Sequence, residues 1–244
     1  MELTKLALDT NIWIYLTKPS FGILLEKLKN GNHKDFDIIV NDIVIKEWDR
    51  NKENTRKALI ENIKNDANAA SHIISYIDND EKRESLEKVI QEYKIKECAR
   101  IKAANARIDE VENFMKSCTH LVVTEKQIEF VSRLAINKLP PLHTSKNNFN
   151  DALIIRNFAE YSKSDLPCKY DMVFVSNNPN DFIDKKTGDV FHELLDGIEL
   201  EMKSVKELGE ALKIAPDLID DFDDWLESEL SYRAELEYEI SKGK

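Results

Sequence analysis

Short apolar runs alternate with amphipathic stretches over the first 50 residues. Residues 5–9 contain a short apolar run that ends in an aspartate, and residues 36–40 are apolar and β-branched, which favours two buried strands. Residues 11–17 and 21–29 have the spacing of short helices, and a third helix is expected to begin near Ile43 after an Asn-Asp cap. Strands and helices that alternate in this way predict an α/β fold with a parallel sheet flanked by helices.

The middle of the chain, from about 43 to 137, is predominantly helical in pattern. Residues 120–124 form a short apolar run there but make no convincing strand. Apolar residues recur at spacings of three and four from Leu86 to Met115, which predicts one long amphipathic helix. The turn at residues 78–80 would fold this helix back on the preceding one as a hairpin. We interpret these recurring apolar residues as core packing between the two helices.

A proline-containing loop at 139–148 separates this region from a helix at 149–161 and a third apolar strand at 170–175. A further strand is expected between 197 and 202. A helix is expected at 204–212, with Ser204 as its N-cap. The predicted organisation is a domain at 1–203, with a helical insertion at about 60–135, and an acidic helical extension at 204–244.

Composition is that of a globular protein, with 42% hydrophobic and 33% charged residues. No apolar run is long enough for a membrane span, and the start lacks a signal-peptide pattern. Cys98, Cys118 and Cys168 are far apart, which suggests neither a disulfide framework nor a zinc site. We therefore expect a cytoplasmic protein with no membrane partner.

The formal net charge of -11 is concentrated near the carboxyl end. Residues 216–240 carry ten acids and one base, which leaves 34 bases and 36 acids elsewhere. The body of the chain is thus nearly neutral, so net charge does not argue against a nucleic-acid partner. The acidic segment could occupy a basic groove, dock a partner, or cap the core as a solvated amphipathic helix.

Several acidic and amide side chains directly follow strands or begin helices. Asp9 closes the first strand, Glu47 lies one turn into the helix after the second, and Asp151 opens the helix after the long loop. Asn178 and Asp181 follow the third apolar strand. If these strands are parallel neighbours, the side chains meet at one crevice, where repelling carboxylates favour a hard divalent cation.

Each of these residues also has a purely structural explanation. Asp9 could be a helix N-cap, and Glu47 a solvated charge on a helix face. Asp151 could serve the helix dipole, and residues 178–181 could form a simple turn.

Four short motifs in this order resemble the PIN-domain ribonucleases, a family that includes the toxins of bacterial toxin–antitoxin pairs. They are Leu-Asp-Thr-Asn at 8–11, Val-Ile-Lys-Glu-Trp at 44–48, Asn-Asp-Ala-Leu-Ile at 150–154, and Val-Phe-Val-Ser-Asn-Asn-Pro-Asn-Asp-Phe at 173–182. The long helical region is similar to that of the larger bacterial PIN-like proteins.

The resemblance implies a PIN-like parallel sheet with an acidic pocket for Mg²⁺ or Mn²⁺. It assigns Asp9 and Asp151 as direct ligands, Glu47 as a ligand or water-orienting base, and Asp181 as a ligand through water. Asn11, Ser176 and Asn178 would support these ligands, and Asn178 would contribute an amide oxygen without charge.

The function implied is a metal-dependent endonuclease that hydrolyses phosphodiester bonds in RNA, with single-stranded DNA as the alternative substrate. A toxin or defence effector is the implied role. An antitoxin or regulatory protein and a second copy of the chain are the implied protein partners. The alternative is a catalytically silent PIN-like binding or regulatory module. Residues that could contact the nucleic-acid backbone, or be merely solvated, are Lys46, Arg50, His143 and Lys146.

Overall fold

Five parallel strands form the sheet at the centre of the computed structural model, which describes residues 3–74, 76–143, 148–162, 171–177, 183 and 190–214. Across the sheet the strand order is β3-β2-β1-β4-β5, and every neighbouring pair is parallel. The strands are β1 Lys5–Leu8, β2 Asp37–Asn41, β3 Thr119–Leu121, β4 Met172–Val175 and β5 Met202–Val205. The predicted parallel α/β fold is therefore confirmed.

Eight α-helices flank the sheet in the part of the chain that the structure describes. They are α1 Thr10–Leu16, α2 Gly22–Gly31, α3 Asp42–Ile74, α4 Asp80–Ile95, α5 Glu97–Ser117, α6 Glu125–Ile136, α7 Phe149–Ser162 and α8 Leu208–Ile214. Short 3₁₀ turns lie at Pro19–Phe21 and His192–Leu195. Among these helices, none is both long enough and apolar enough to cross a lipid bilayer.

The core is built on the two central strands, β1 and β4, whose residues are all buried. Such continuous burial is typical of a parallel sheet covered on both faces, and it explains the unbroken apolar runs in the sequence. Trp13 of α1 and Trp48 of α3 are both fully buried against this core. The ring of Trp13 meets that of Phe114 edge to face, with centroids 5.9 Å apart, which joins α1 to α5.

The helical hairpin is present, but its second arm is divided. Asn79 caps α4 by accepting a hydrogen bond from the Lys82 amide at 3.0 Å, as the predicted turn requires. Instead of one long helix, α4 and α5 are separate, and Lys96 between them leaves helical geometry with φ -88° and ψ 3°. The sequence has no glycine or proline there, so its uninterrupted apolar spacing predicted a continuous helix.

Two expectations about strands are wrong. Residues 119–121 do form a strand, β3, which pairs with β2 at an edge of the sheet. It is only three residues long and partly polar, so it lacks the pattern of a buried strand. The strand expected between 197 and 202 lies instead at Met202–Val205, where it pairs with β4.

The prediction of Ser204 as a helix N-cap is also wrong, because Ser204 lies within β5. The following helix, α8, begins at Leu208, where the Glu207 carbonyl accepts hydrogen bonds from the amides of Glu210 and Ala211. Strand β5 therefore spans the predicted domain boundary at 203. The buried side chains of α8 belong to the same core as the sheet. The acidic segment at 216–240 lies outside the described residues.

A buried carboxylate ties α3 to α5. Glu112 of α5 accepts hydrogen bonds from Lys52 of α3 and from Lys116 one turn along α5. Burial alone would raise the pKa of Glu112, but the hydrogen bonds from Lys116 and Lys52 outweigh it and lower that pKa below its usual 4.5. The charged form of Glu112 is thus favoured in the folded state.

Replacing Glu112 with Gln should lower the free energy of unfolding at pH 7 by about 1.5 kcal/mol, because hydrogen bonds to a charged group are lost. A carboxylate with a lowered folded pKa stabilises the protein above about pH 4.5, and this stability is lost as the pH falls through the folded pKa. Urea unfolding of both proteins at several pH values should therefore show the difference shrinking in acid. A difference in the free energy of unfolding that stays the same at every pH would contradict a lowered pKa for Glu112. Glu53→Gln, at an exposed i,i+3 pair with Arg56, is the matched control with almost no expected effect.

Cysteine reactivity gives a second check on the packing of α5. Cys118 is buried, its Sγ lies 3.3 Å from the Phe114 carbonyl oxygen, and burial raises the pKa of its thiol to about 12. Cys98 at the start of α5 is exposed. Because the thiolate is the reactive form, iodoacetamide at pH 8 should alkylate Cys98 and spare Cys118 until the protein unfolds. Peptide mapping measures both rates, and equal rates in the native protein would contradict the packing.

Candidate functional site

The sheet has a topological switch point between β1 and β4. The chain leaves β1 toward β2 and β3 on one side, then returns to β4 and β5 on the other. Open α/β sheets bind ligands at the carboxyl ends of strands at such a point. Asp9 directly follows β1 and Ser176 directly follows β4. The Asp9 amide donates to the Val175 carbonyl at 2.9 Å, so the two strand ends are in register at this crevice.

The Asp9 carboxylate is buried at this edge. It is 9% exposed, and the hydroxyl of the fully buried Ser176 donates to its Oδ2 at 2.8 Å. Asp9 does occupy the N-cap position of α1, but its side chain makes no capping hydrogen bond there. The carboxylate is directed instead toward the end of β4, so helix capping does not explain this aspartate.

The pKa of Asp9 is raised above its ordinary value, first because burial disfavours its charged form and further because the negative charge of Glu47 is near. Hydrogen bonds from Ser176, the Thr10 amide and the Asn11 side chain oppose this rise without cancelling it. The charge of Asp9 is therefore only partly compensated by the protein. A positive charge at this edge would be favourable.

Glu47 reaches the same edge from α3. The Asn41 Oδ1 accepts a hydrogen bond from the Val44 amide at 3.0 Å and so caps the start of α3, which fixes where Glu47 lies one turn later. Thr10 Oγ1 donates to Glu47 Oε2 at 2.8 Å. The next residue, Trp48, points into the core. Glu47 is thus held against the start of α1, which a freely solvated charge would not be.

Thr10 had no role in the sequence-based assignment, although it lies in the motif Leu-Asp-Thr-Asn. The structure shows it 4% exposed, between Asp9 and Glu47. A threonine next to a strand-end aspartate is too common a pattern to indicate a contact with a residue 37 positions away. Only the packing of α1 against α3 reveals it.

Of the other predicted acids, the structure describes Asp151 and not Asp181. Asp151 lies half-buried in the first turn of α7, where an acid also favours the helix dipole. Asn178 and Asp181 lie outside the described residues. Within the described ranges, no group of three or more His, Cys, Asp or Glu side chains lies close enough together to hold a metal ion. Among the described residues, Asp9 and Glu47 are close enough to interact electrostatically, and Asp151 stays a predicted ligand.

The groups at this edge nevertheless suit a hard divalent cation. Asp9 and Glu47 present carboxylate oxygens, and the neighbouring Ser176 and Thr10 present hydroxyls. Mg²⁺ and Mn²⁺ prefer oxygen ligands, and they commonly bind through one or two carboxylates together with water and substrate phosphate. The observation that favours such an ion here is a carboxylate that is 9% exposed and shares this edge with Glu47 and two hydroxyl groups.

The predicted phosphate-contacting residues differ in their surroundings. Lys46 and Arg50 flank Glu47 on the exposed side of α3, where Lys46 pairs with Asp42 at 2.8 Å. Arg50 Nη2 lies 3.8 Å from Glu47 Oε1. His143 is exposed, and its ring meets Phe191 edge to face with centroids 6.2 Å apart. Lys146 lies outside the described residues.

Comparison with known proteins identifies a family. A family model described as PIN domain matches residues 6–182, which is well over half of the chain and includes every residue discussed above as a site candidate. No curated protein and no solved structure matches the chain. PIN domains are generally nucleases and typically use divalent metals. With its parallel sheet, flanking helices and strand-end carboxylate, this chain belongs to the PIN-domain family.

Proposed function

We propose that this protein is a metal-dependent endonuclease that hydrolyses phosphodiester bonds in RNA. The observation that carries the proposal is the pair of carboxylates, Asp9 and Glu47, held within electrostatic range of each other at the switch point of a PIN-domain sheet. Two like charges there make the apo edge electrostatically unfavourable, which is the usual property of a cation site.

Asp9 and Asp151 would hold a Mg²⁺ or Mn²⁺ ion directly, with Glu47 as a further ligand or water-orienting base and Asp181 as a ligand through water. The chemistry that such an ion supplies is polarisation of the scissile phosphate and acidification of an attacking water. Ser176 and Asn11 orient the Asp9 carboxylate through hydrogen bonds, and Asn178 is proposed to support the site beside them. The protein's own contribution is therefore the placement of oxygen ligands.

RNA is the proposed substrate, and single-stranded DNA is the competing one. Lys46 and Arg50 are exposed beside Glu47, where they could contact the phosphates on either side of the scissile bond. His143 and Lys146 are proposed as further contacts from the loop before α7. A role as a toxin or defence effector, controlled by an antitoxin or regulatory protein, is the part of the proposal that the family resemblance supports.

A second candidate function is a PIN-fold module that binds RNA without cleaving it. The observation that favours it is that, in the described part of the chain, Asp9 and Glu47 lack a third acid within metal-binding range. A site with two carboxylates could bind an ion too weakly for catalysis.

Replacing Asp9 with Asn should lower the rate of RNA cleavage in Mn²⁺ by more than about 100-fold, since changes even in groups that only support metal ligands cost 10–100-fold. Cleavage of labelled single-stranded RNA and DNA, resolved on gels, measures the rate and the substrate preference. Asp37→Asn is the matched control. Asp37 begins β2 at the amino ends of the strands, away from the crevice, and it is paired with Lys5. Its rate should stay near that of the wild type.

Cleavage by the Asp9→Asn protein at the wild-type rate would contradict the assignment of Asp9. If the wild type cleaves neither RNA nor DNA, and calorimetry detects no Mn²⁺ binding, the second candidate function is supported instead.

A further inference from the structure

The side chain of Thr10 connects two elements that are distant in sequence. Thr10 is the first residue of α1 and is 4% exposed. Its hydroxyl donates to Glu47 Oε2 at 2.8 Å across 37 residues of chain. The donor residue is buried while the Glu47 side chain is 24% exposed, so the contact is partly shielded from water, and a hydrogen bond to a charged acceptor is stronger than one between neutral groups.

Thr10 also adjoins the other carboxylate. It directly follows Asp9 in the chain, and hydrogen bonding by its backbone amide is among the influences that lower the pKa of Asp9 against the effect of burial. Thr10 therefore lies between the two carboxylates, next to Asp9 along the chain and bonded to Glu47 through its hydroxyl.

The hydrogen bond from Thr10 also restricts Glu47. A glutamate side chain has several rotatable bonds, and ordering it costs conformational entropy. Thr10 engages Oε2, while Oε1 lies 3.8 Å from the exposed Arg50 guanidinium. Glu47 is therefore already ordered toward the crevice before a ligand arrives, which is the arrangement that favours tight and specific binding.

We propose that Thr10 is a positioning residue that holds Glu47 at a fixed place beside Asp9 and thereby sets the affinity of this edge for a divalent cation. This inference rests on the proposed function. The hydroxyl of Thr10, and not merely the bulk of its side chain in the packing of α1, is required for cation binding.

Conservative substitutions separate the role of the Thr10 hydroxyl from that of its side-chain bulk. Valine has nearly the same shape as threonine but lacks the hydroxyl, whereas serine keeps the hydroxyl and loses a methyl group. Thr17 at the other end of α1 offers a matched control. It is equally buried, but its hydroxyl donates at 2.6 Å to the Ile14 carbonyl within the same helix.

The experiment is calorimetric titration of the full chain with Mn²⁺, together with circular dichroism to confirm folding. Thr10→Val should raise the Mn²⁺ dissociation constant by about 10-fold to 100-fold, the range expected when a group that orients a ligand is lost. Thr10→Ser should stay within about 3-fold of wild type, because the orienting donor remains. Thr17→Val should bind Mn²⁺ like wild type even if it unfolds at a lower temperature.

A double-mutant cycle with Glu47→Gln sharpens the test. If Thr10 acts through Glu47, then Thr10→Val should cause little further loss of Mn²⁺ affinity in the Glu47→Gln background. Should Thr10→Val fail to fold, Thr10→Ala in both backgrounds replaces it.

Wild-type affinity in a folded Thr10→Val protein would overturn the inference and leave the proposed function standing. Equal loss in Thr10→Ser and Thr10→Val would also overturn it, because bulk and not the hydroxyl would then matter. An absence of Mn²⁺ binding in the wild type would overturn the proposed function and this inference together.

Discussion

The burial of one carboxylate beside a second is the constraint on which the carboxyl edge of this sheet depends. Asp9 is buried and Glu47 is near enough to raise its pKa further. The fold keeps the pair together through short hydrogen bonds from Ser176 to Asp9 and from Thr10 to Glu47. A protein that needed only stability would separate or neutralise these charges, so their proximity is a cost that a functional site explains.

Both carboxylates are placed by well-packed elements of the core. Asp9 continues the central strand β1 and is hydrogen-bonded through its amide to β4, on which Ser176 follows. Glu47 is placed by α3, whose start is fixed by the Asn41 cap and whose next side chain, Trp48, is buried in the core. Both carboxylates therefore lie on backbone that packs into the hydrophobic core, which is the support that a precise ligand site requires.

Sequence patterns predicted the parts of this arrangement that are local. Apolar runs located β1, β2 and β4, and the position of Asp9 after a strand pointed to the edge where it lies. Patterns failed where tertiary contacts decide the outcome: β3 is too short and polar to be recognised without its neighbour β2, and Ser204 has the signature of a helix cap yet pairs within the sheet. The contact of Thr10 with Glu47 depends on how α1 packs against α3, which no local pattern encodes.

Thermal unfolding of the wild type and Asp9→Asn, each in EDTA and in excess Mn²⁺, tests the central claim most directly. Since Asp9→Asn removes a buried like charge, we predict that it unfolds at or above the wild-type temperature in EDTA. Mn²⁺ at about 100 times its dissociation constant should stabilise the wild type by about 2.7 kcal/mol and leave Asp9→Asn unchanged. A lower unfolding temperature for Asp9→Asn in EDTA, with an equal response of both proteins to Mn²⁺, would contradict the account.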